Sequence, residues 1–316
     1  MTEVKSDDER ADLDGLSVGR AADIIADDEE RVSEMRETLA ILAQDGTIRR
    51  SAVDDAVANA SMVVTTAETR VELAAGKLDS ARKTAVPVSD LDLVSARITS
   101  FEERLHAIED RADTLGEAIQ EILSMKTDGD LYEIARRIRR VTNAATETQR
   151  AADDLQLELE SFEGWLTNAD RRADELVDDV EAVAESINEL DTVAEALAGA
   201  DGDSESEKAQ TWIAAMIRHR VVSLMIVDLR AESAALRRWA ERESSRPPSA
   251  IEPRLDEIET SHEAVGERLT AHANPKWTAQ YGDQLTALDE ALDSMEPPVA
   301  WDEVEAITTE HRSEGT

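Results

Sequence analysis

The 316-residue sequence contains no cysteine and few aromatic residues. Without cysteine, disulfide bonds, thiolate zinc sites and cysteine nucleophiles are all excluded. Phe, Tyr and Trp together make up 3% of the chain, which is too little for a large compact core of the kind that bulky rings dominate. Burial must therefore depend on Ala, Leu, Val and Ile.

Long uninterrupted apolar runs are also missing. The most apolar window, 212–229, is broken by Arg218, His219, Arg220 and Asp228, and charges at the centre of a membrane span are costly. The acidic N-terminal segment lacks the apolar core of an export signal. We therefore expect a cytoplasmic protein without a transmembrane segment, and association with a membrane through a partner stays open.

Motifs for catalysis or cofactor binding are lacking too. The chain has no Walker A, dinucleotide-binding or nucleophile-elbow motif. Segment 201–207 resembles the start of a calcium loop, but Ser206 and Trp212 stand where the turn glycine and the bidentate glutamate belong, so we interpret it as a linker. His262 and His272 fall on the apolar stripe of a predicted helix, where they are either packing residues or a pH- or metal-sensitive pair. We expect no enzyme activity, no cofactor and no bound metal.

Basic residues are scarce. The chain has 71 acidic and 34 basic residues, a net charge of −37, and Arg far outnumbers Lys. Such a surface repels itself in dilute buffer, whereas at molar salt the Debye length is about 3 Å and the repulsion is screened. The composition therefore indicates the cytoplasm of a halophile. The alternative is an acidic mimic of nucleic acid or a binder of basic proteins, which would favour concentrated acidic blocks.

Helical periodicity is abundant. From Leu131 to Leu197 apolar residues recur at alternating spacings of three and four, with Thr148 the only polar residue in the two rows. This pattern predicts one continuous helix of about 100 Å. Because no alternating strand pattern is present, we expect an all-α fold. It would be an elongated antiparallel coiled coil or helical bundle around one long central helix, with short helices at both ends.

The pattern predicts four segments. They are an acidic disordered tail (1–15), a module of short helices (16–86), a long coiled-coil bundle (87–245) and a C-terminal helical hairpin with a short helix (246–316). The module would contain short helices at 51–60 and 66–85. In the bundle, turns at 126–129 and 199–206 would separate three helices, and Pro247–Pro248 would end the last of them.

Two arrangements of the first coil, 91–125, compete. Its flanking Arg97 and Arg104 would pair with Glu102 and Glu109 across a parallel homodimer. However, a short turn between helices usually makes antiparallel neighbours, and the small or apolar flanks of the long helix suit a bundle of three or more helices. We therefore favour intramolecular hairpins, with dimerisation as an addition.

The sharpest local charge feature is a basic cluster that lies outside the apolar seam. It consists of Arg136, Arg137, Arg139 and Arg140. One interpretation is a contact with a partner or with phosphate. The other, which we favour, is a solvated or ion-paired face opposite acidic helices, because phosphate binding weakens strongly in salt. Nucleic acid is for this reason not an expected partner.

Three segments resemble a haloarchaeal coiled-coil family whose members are commonly labelled halo transducer protein. They are GTIRRSAV at 46–53, TRVELA at 69–74 and the heptad region 131–166 with QRAADDL at its centre. The resemblance implies taxis or signal transduction. The membrane spans and the kinase-coupling hairpin tip of transducers have no counterpart in this sequence.

Three functions remain in view. The first is a non-enzymatic cytoplasmic coiled-coil scaffold or interaction protein of a halophile, which binds protein partners through its helical surfaces. The second is a soluble signal-transduction adaptor related to taxis transducers. The third is a structural protein associated with nucleic acid or the cell envelope.

Overall fold

The computed structural model describes residues 12–26, 29–199, 204–245 and 251–313. These residues form ten α-helices and one two-stranded antiparallel hairpin, which confirms the all-α prediction. The helices are α1 (Val18–Ile25), α2 (Glu29–Ala40), α3 (Ala52–Ala85), α4 (Asp92–Met125), α5 (Leu131–Thr167), α6 (Ala169–Gly199), α7 (Glu205–Glu243), α8 (Ile251–Ala271), α9 (Pro275–Asp293) and α10 (Trp301–Ser313). The strands are β1 (Ala43–Gln44) and β2 (Thr47–Ile48).

The turn predicted at 126–129 lies between α4 and α5, and side chains cap the starts of α5 and α9. The Asp130 carboxylate accepts a hydrogen bond from the backbone N–H of Glu133 at 2.9 Å, which starts α5. The Asn274 side chain caps α9 just before Pro275. The predicted tail at 1–15 and the turn at 199–206 lie mostly or partly outside the described residues, and Pro247–Pro248 lies wholly outside them.

The prediction of one continuous helix from Leu131 to Leu197 is wrong. The helix ends at Thr167 and a new one begins at Ala169. Asn168 causes the break, because its side-chain oxygen accepts hydrogen bonds from the N–H groups of Asp170 and Arg171 at 3.0 and 3.2 Å. The spacing of apolar residues continues across this one-residue interruption, so the periodicity could not reveal it.

The predicted short helices at 51–60 and 66–85 are also wrong, since α3 runs through both. Val64 and Ala67 continue its buried stripe across the supposed gap. Upstream, the apolar spacing of 16–43 predicts a single helix, but the structure has the two helices α1 and α2, and the β1–β2 hairpin begins at Ala43. The turn of this hairpin contains Asp45 and Gly46 at φ angles of 49° and 75°.

The described residues divide into two compact units. The first comprises the described part of Met1–Lys83 together with Ile98–Glu163. In it α3 runs parallel to α5, and α4 runs antiparallel to both. The contacts that fix these directions are Gln149 to Val63 and Lys77 to Glu160 for α3 and α5, Arg104 to Glu158 and Arg137 to Glu121 for α4 and α5, and Arg82 to Glu102 and Lys126 to Asp54 for α3 and α4.

The hydrophobic core of the first unit is built where α1, α2 and the β-hairpin meet the long helices. Leu39, Leu42 and Ile48 are fully buried there against Ile122 and Ile134. Many of the other core residues are Ala and Val, which allow the helices to approach closely.

The second unit comprises the described parts of Thr84–Arg97 and Gly164–Thr316. In it α6 and α8 are parallel to each other and antiparallel to α7, while α9 packs on α7 and α10 packs on α9. The contacts that fix the directions are Arg218 to Glu189 for α6 and α7, Arg254 to Glu181 and Arg268 to Asp191 for α6 and α8, and Arg237 to Glu252 and Arg230 to Asp256 for α7 and α8.

None of the described helices has a stretch that is long and apolar enough to cross a membrane. Along the chain, the boundaries between the two units fall within α3, α4 and α5 and not in the loops that join helices. The domain boundaries that the sequence suggests therefore stay predictions.

Candidate functional site

The predicted arginine cluster lies on the first three turns of α5, and three of its four side chains are paired. Arg136 and Arg137 both bind Glu133, at 2.8 and 2.9 Å, and Arg137 also reaches Glu121 on α4. Arg139 donates to the Thr38 hydroxyl at 2.8 Å, to the Glu34 carbonyl and to the Glu37 carboxylate, all on α2. Arg140 is exposed. The cluster therefore connects helices within the first unit.

The electrostatics of Glu133 agree with this arrangement. Its burial alone would raise the pKa of the carboxyl group, but the guanidinium groups of Arg137 and Arg136 outweigh it and lower that pKa. A phosphate group would have to compete with this carboxylate for both arginines.

Three of the four charged side chains that a parallel dimer of the first coil would pair are also engaged within the chain. Arg104 binds Glu158 of α5, and Glu102 binds Arg82 of α3 at 2.7 Å. Arg97, in the second unit, contacts Glu175 and Glu232. These pairs support the intramolecular arrangement of the helices.

A pair of stacked histidines joins α7 to α8. The rings of His219 and His262 lie 3.8 Å apart, measured between centroids, at an interplanar angle of 13°. The Nε2 atom of His219 is 3.1 Å from the backbone oxygen of His262, and the Nε2 atom of His262 is 2.9 Å from the backbone oxygen of His219. Since a carbonyl oxygen only accepts hydrogen bonds, both Nε2 atoms carry a proton.

Two neighbours determine the properties of this histidine pair. A Cβ atom at Gly266 would lie 2.6 Å from the Nε2 atom of His219, so glycine is required for the ring to fit. Burial, together with the nearby His262 and Arg220, lowers the pKa of His219 to about 4. His219 is therefore neutral at physiological pH, and its protonation in the folded chain is unfavourable.

A groove of about 320 Å³ opens beside the histidines. It is lined by Met216, His219, Arg220, Ser223, Gly266 and Thr270. Its cationic group, Arg220, already binds both carboxylate oxygens of Asp289 on α9. The groove therefore has no uncompensated charge that would attract an anionic ligand.

The second candidate site is a charge cluster around Arg97. Its guanidinium group lies 2.7 Å from Glu175 of α6 and 3.2 Å from Glu232 of α7. The side chain of Glu232 is only 13% exposed. Asp228, one helical turn earlier, accepts hydrogen bonds from the backbone N–H of Val299 and the indole N–H of Trp301, both at 3.1 Å. The cluster thus connects α4, α6, α7 and the start of α10.

Carboxylates outnumber the single cation of the cluster. Burial raises the pKa of Glu232 to about 7; Arg97 opposes the shift, while Asp179, Glu175 and Asp228 reinforce it. Burial likewise raises the pKa of Asp228 and of Asp179. Glu232 is therefore part-protonated near neutral pH, and the cluster takes up a proton on mild acidification.

Two tryptophans and two arginines form a ladder next to this cluster. Arg97 lies over the ring of Trp165 at 4.2 Å and Arg172 over the ring of Trp239 at 3.8 Å, while the two tryptophans meet edge to face at 5.3 Å. Arg172, which is 4% exposed, also donates to the carbonyl oxygens of Trp165 and Leu166. It thereby satisfies the last carbonyl groups of α5 at the break.

The sequence pattern missed these groups because their partners are remote in the chain. His219 and His262 are 43 residues apart. The sequence offered a pair of His262 with His272 only as the alternative to packing residues; His262 is buried, and the ring stacked on it belongs to His219. Trp165 and Arg172 lie on either side of Asn168 in the sequence. The helix-capping tendency of Asn168 was therefore the one feature of the local sequence that pointed to this region. Within the described residues, no three His, Asp or Glu side chains are grouped so that they could hold a metal ion.

Similarity to known proteins gives no guide to these sites. No protein-family model matches the chain, and neither a curated protein nor a solved structure does. What the sites can do follows from their geometry: they hold helices together, and both change charge with pH.

Proposed function

We propose that this protein is a non-enzymatic scaffold or interaction protein that works in the salt-rich cytoplasm of a halophile and presents helical surfaces to protein partners. The observation that carries the proposal is how its titratable groups are used. In both units, arginine and carboxylate side chains join one helix to another, as in the pairs Arg104 to Glu158, Arg254 to Glu181 and Arg242 to Asp90.

The groups that usually serve catalysis have structural partners here. Each ring of the histidine pair bonds the backbone of the opposite helix, and Glu232 faces Arg97. A general base must have a lone pair directed at substrate, whereas these groups are directed into contacts between helices. Their geometry supports a role in assembly.

The salt-rich setting is supported by the charge balance. A chain with a net charge of −37 is destabilised by its own repulsion in dilute buffer. Short contacts between opposite charges persist when salt screens the more distant ones. Helices joined by arginine and carboxylate pairs at contact distance are suited to that condition.

The test is affinity capture of the full chain from cells at molar KCl, followed by mass measurement of the intact complex. We expect another protein at a fixed stoichiometry. Kinase-coupling proteins in the complex would select the adaptor version of the proposal, and DNA retained at native salt would select a nucleic-acid structural role instead. Recovery of the chain without any other protein at fixed stoichiometry would overturn the proposal.

The variants Arg140→Glu and Arg111→Glu make a matched pair for this test. Both positions are exposed, on α5 and α4 respectively, and Arg140 belongs to the predicted contact cluster. If that cluster binds the captured partner, Arg140→Glu reduces recovery of the partner and Arg111→Glu does not. Equal recovery with both variants would place the partner on another surface.

A further inference from the structure

Helix α3 directs one uncharged face away from its bundle. This outer α3 face consists of Asn59, Met62, Thr66, Thr69, Leu73 and Gly76, all of them exposed. The residues follow each other at spacings of three and four, the repeat by which two helices pack along a seam. Met62 and Leu73 are 64% and 50% exposed. Two large apolar side chains are thus open to solvent on one face of a helix in a strongly acidic chain. The helix thus has two faces with apolar residues. The inner one packs in the core of the first unit, and the outer one is exposed.

The two threonine hydroxyl groups of the outer α3 face form hydrogen bonds within the helix. The hydroxyl group of Thr66 donates to the carbonyl oxygen of Met62 at 2.8 Å, and that of Thr69 to the carbonyl oxygen of Thr65 at 2.9 Å. The face can be buried without leaving these hydroxyl groups unpaired.

Gly76 supplies an independent observation. Glycine in a helix interior is less favourable than alanine, and nothing within the chain requires it, because a Cβ atom at this position would meet no atom within 4 Å. A close approach of a second helix along the same seam would explain why no side chain is present there.

The charged residues along the two edges of the outer α3 face indicate which helix can pack on it. Glu72 and Asp79 lie along one edge, and Arg70 and Lys77 along the other. When two copies of α3 pack in parallel, opposite edges meet, so Glu72 faces Lys77 of the second copy. Antiparallel packing would bring like charges together. Lys77 also binds Glu160 of its own chain at 2.8 Å, and its ammonium group has further donors to share.

We propose that the outer α3 face is a self-association surface, on which α3 of a second copy of this chain packs in parallel and in register. The seam from Asn59 to Gly76 is about 25 Å long, which suits a weak and reversible dimer. Because each copy carries a charge of −37, the dimer forms more readily in molar salt, where the mutual repulsion is screened. Self-association is a property of the purified chain and does not depend on the function proposed above.

The first experiment is sedimentation of the purified full chain at molar KCl over a range of protein concentration. We expect a monomer and dimer in equilibrium, with at least a tenfold weaker association for Leu73→Asp. The control is Leu157→Asp, since Leu157 is 65% exposed but lies on α5. Circular dichroism melts verify that both variants stay folded. A monomeric wild type at all concentrations, or equal loss of the dimer in both variants, would overturn the proposal.

The second experiment tests the orientation and uses the absence of cysteine from the chain. In a parallel, in-register dimer the two copies of residue 69 face each other across the seam, so Thr69→Cys should form an intermolecular disulfide under mild oxidation. Leu157→Cys should remain monomeric under the same conditions. A dimer that forms without cross-linking at residue 69, or equal cross-linking of both variants, would refute the parallel arrangement.

Discussion

The buried carboxyl group of Glu232 makes a prediction whose size can be worked out from its surroundings. Its pKa in the folded chain is about 7, compared with an ordinary value of 4.5. Between these two pH values the folded state holds a proton that the unfolded state has lost. Stability conferred by this group is therefore fully present below about pH 4.5 and is lost as the pH rises through 7.

The substitution Glu232→Gln removes this dependence. Glutamine resembles the protonated carboxyl group in shape and keeps a hydrogen-bonding group next to Arg97. At about 1.4 kcal/mol for each pH unit, the wild type loses about 3 kcal/mol of this contribution between pH 4.5 and 7. We expect the variant to resemble the wild type near pH 4.5 and to be more stable by roughly this amount near pH 8.

The measurement is urea unfolding in molar KCl across this pH range, because guanidinium is itself a salt and would alter the screening. Only the difference between variant and wild type is informative, since His219 acts in the opposite sense. Its lowered pKa of about 4 makes the folded state less stable as the pH falls below 6.5, the ordinary value for histidine. In the wild type, the changes of unfolding free energy with pH that Glu232 and His219 cause have opposite signs.

A matched control is Glu241→Gln, an exposed carboxylate on the same helix α7. This substitution leaves Glu232 and its neighbours in place, so the loss of stability that Glu232 causes between pH 4.5 and 7 should persist. If the difference between Glu232→Gln and the wild type is constant with pH, or if the variant is the less stable one near pH 8, the argument from burial is refuted.

Three further predictions concern the helix ends, the histidine pair and salt. Asn168→Ala removes the cap of α6 and should lower the free energy of unfolding by about 1 kcal/mol in urea titrations; an unchanged midpoint would contradict the assigned cap. Gly266→Ala should destabilise the chain by about 1–3 kcal/mol because the new methyl group meets His219, whereas Gly282→Ala in α9, with no atom within 4 Å, should stabilise it by about 0.5–1 kcal/mol. Helicity measured by circular dichroism should rise steeply between dilute buffer and molar KCl. Full helicity in dilute buffer would contradict the halophile interpretation.

The sequence predicted helix positions well wherever apolar spacing and local caps coincide. The bounds of α4 and the start of α5 follow from their heptads and from the cap at Asp130. Where a cap contradicts the heptads, as at Asn168, the periodicity was a misleading guide, because a one-residue break preserves the spacing of Leu166 and Ala173. The residue type at the break carried the signal, since asparagine is among the strongest helix caps.

The candidate site could not be predicted in the same way. The charge cluster depends on Arg97, Glu175 and Glu232, which lie on three different helices. Helical periodicity specifies which face of a helix is buried, but it contains no information on which residues of remote helices meet. A buried glutamate such as Glu232 looks like any surface acid in a chain with 71 acidic residues.

The scarcity of lysine is consistent with how the helices are joined. At molar salt, charges more than about 3 Å apart barely interact in solvent, so only groups in direct contact add attraction. A guanidinium group makes two parallel hydrogen bonds to a carboxylate and is less strongly hydrated than an ammonium group. Arg254 with Glu181 and Arg242 with Asp90 show this two-point contact. The same salt that removes the general repulsion of the acidic surface therefore leaves these pairs in place. Replacing Arg254 with lysine should consequently cost more stability in molar KCl than replacing an unpaired surface arginine such as Arg140.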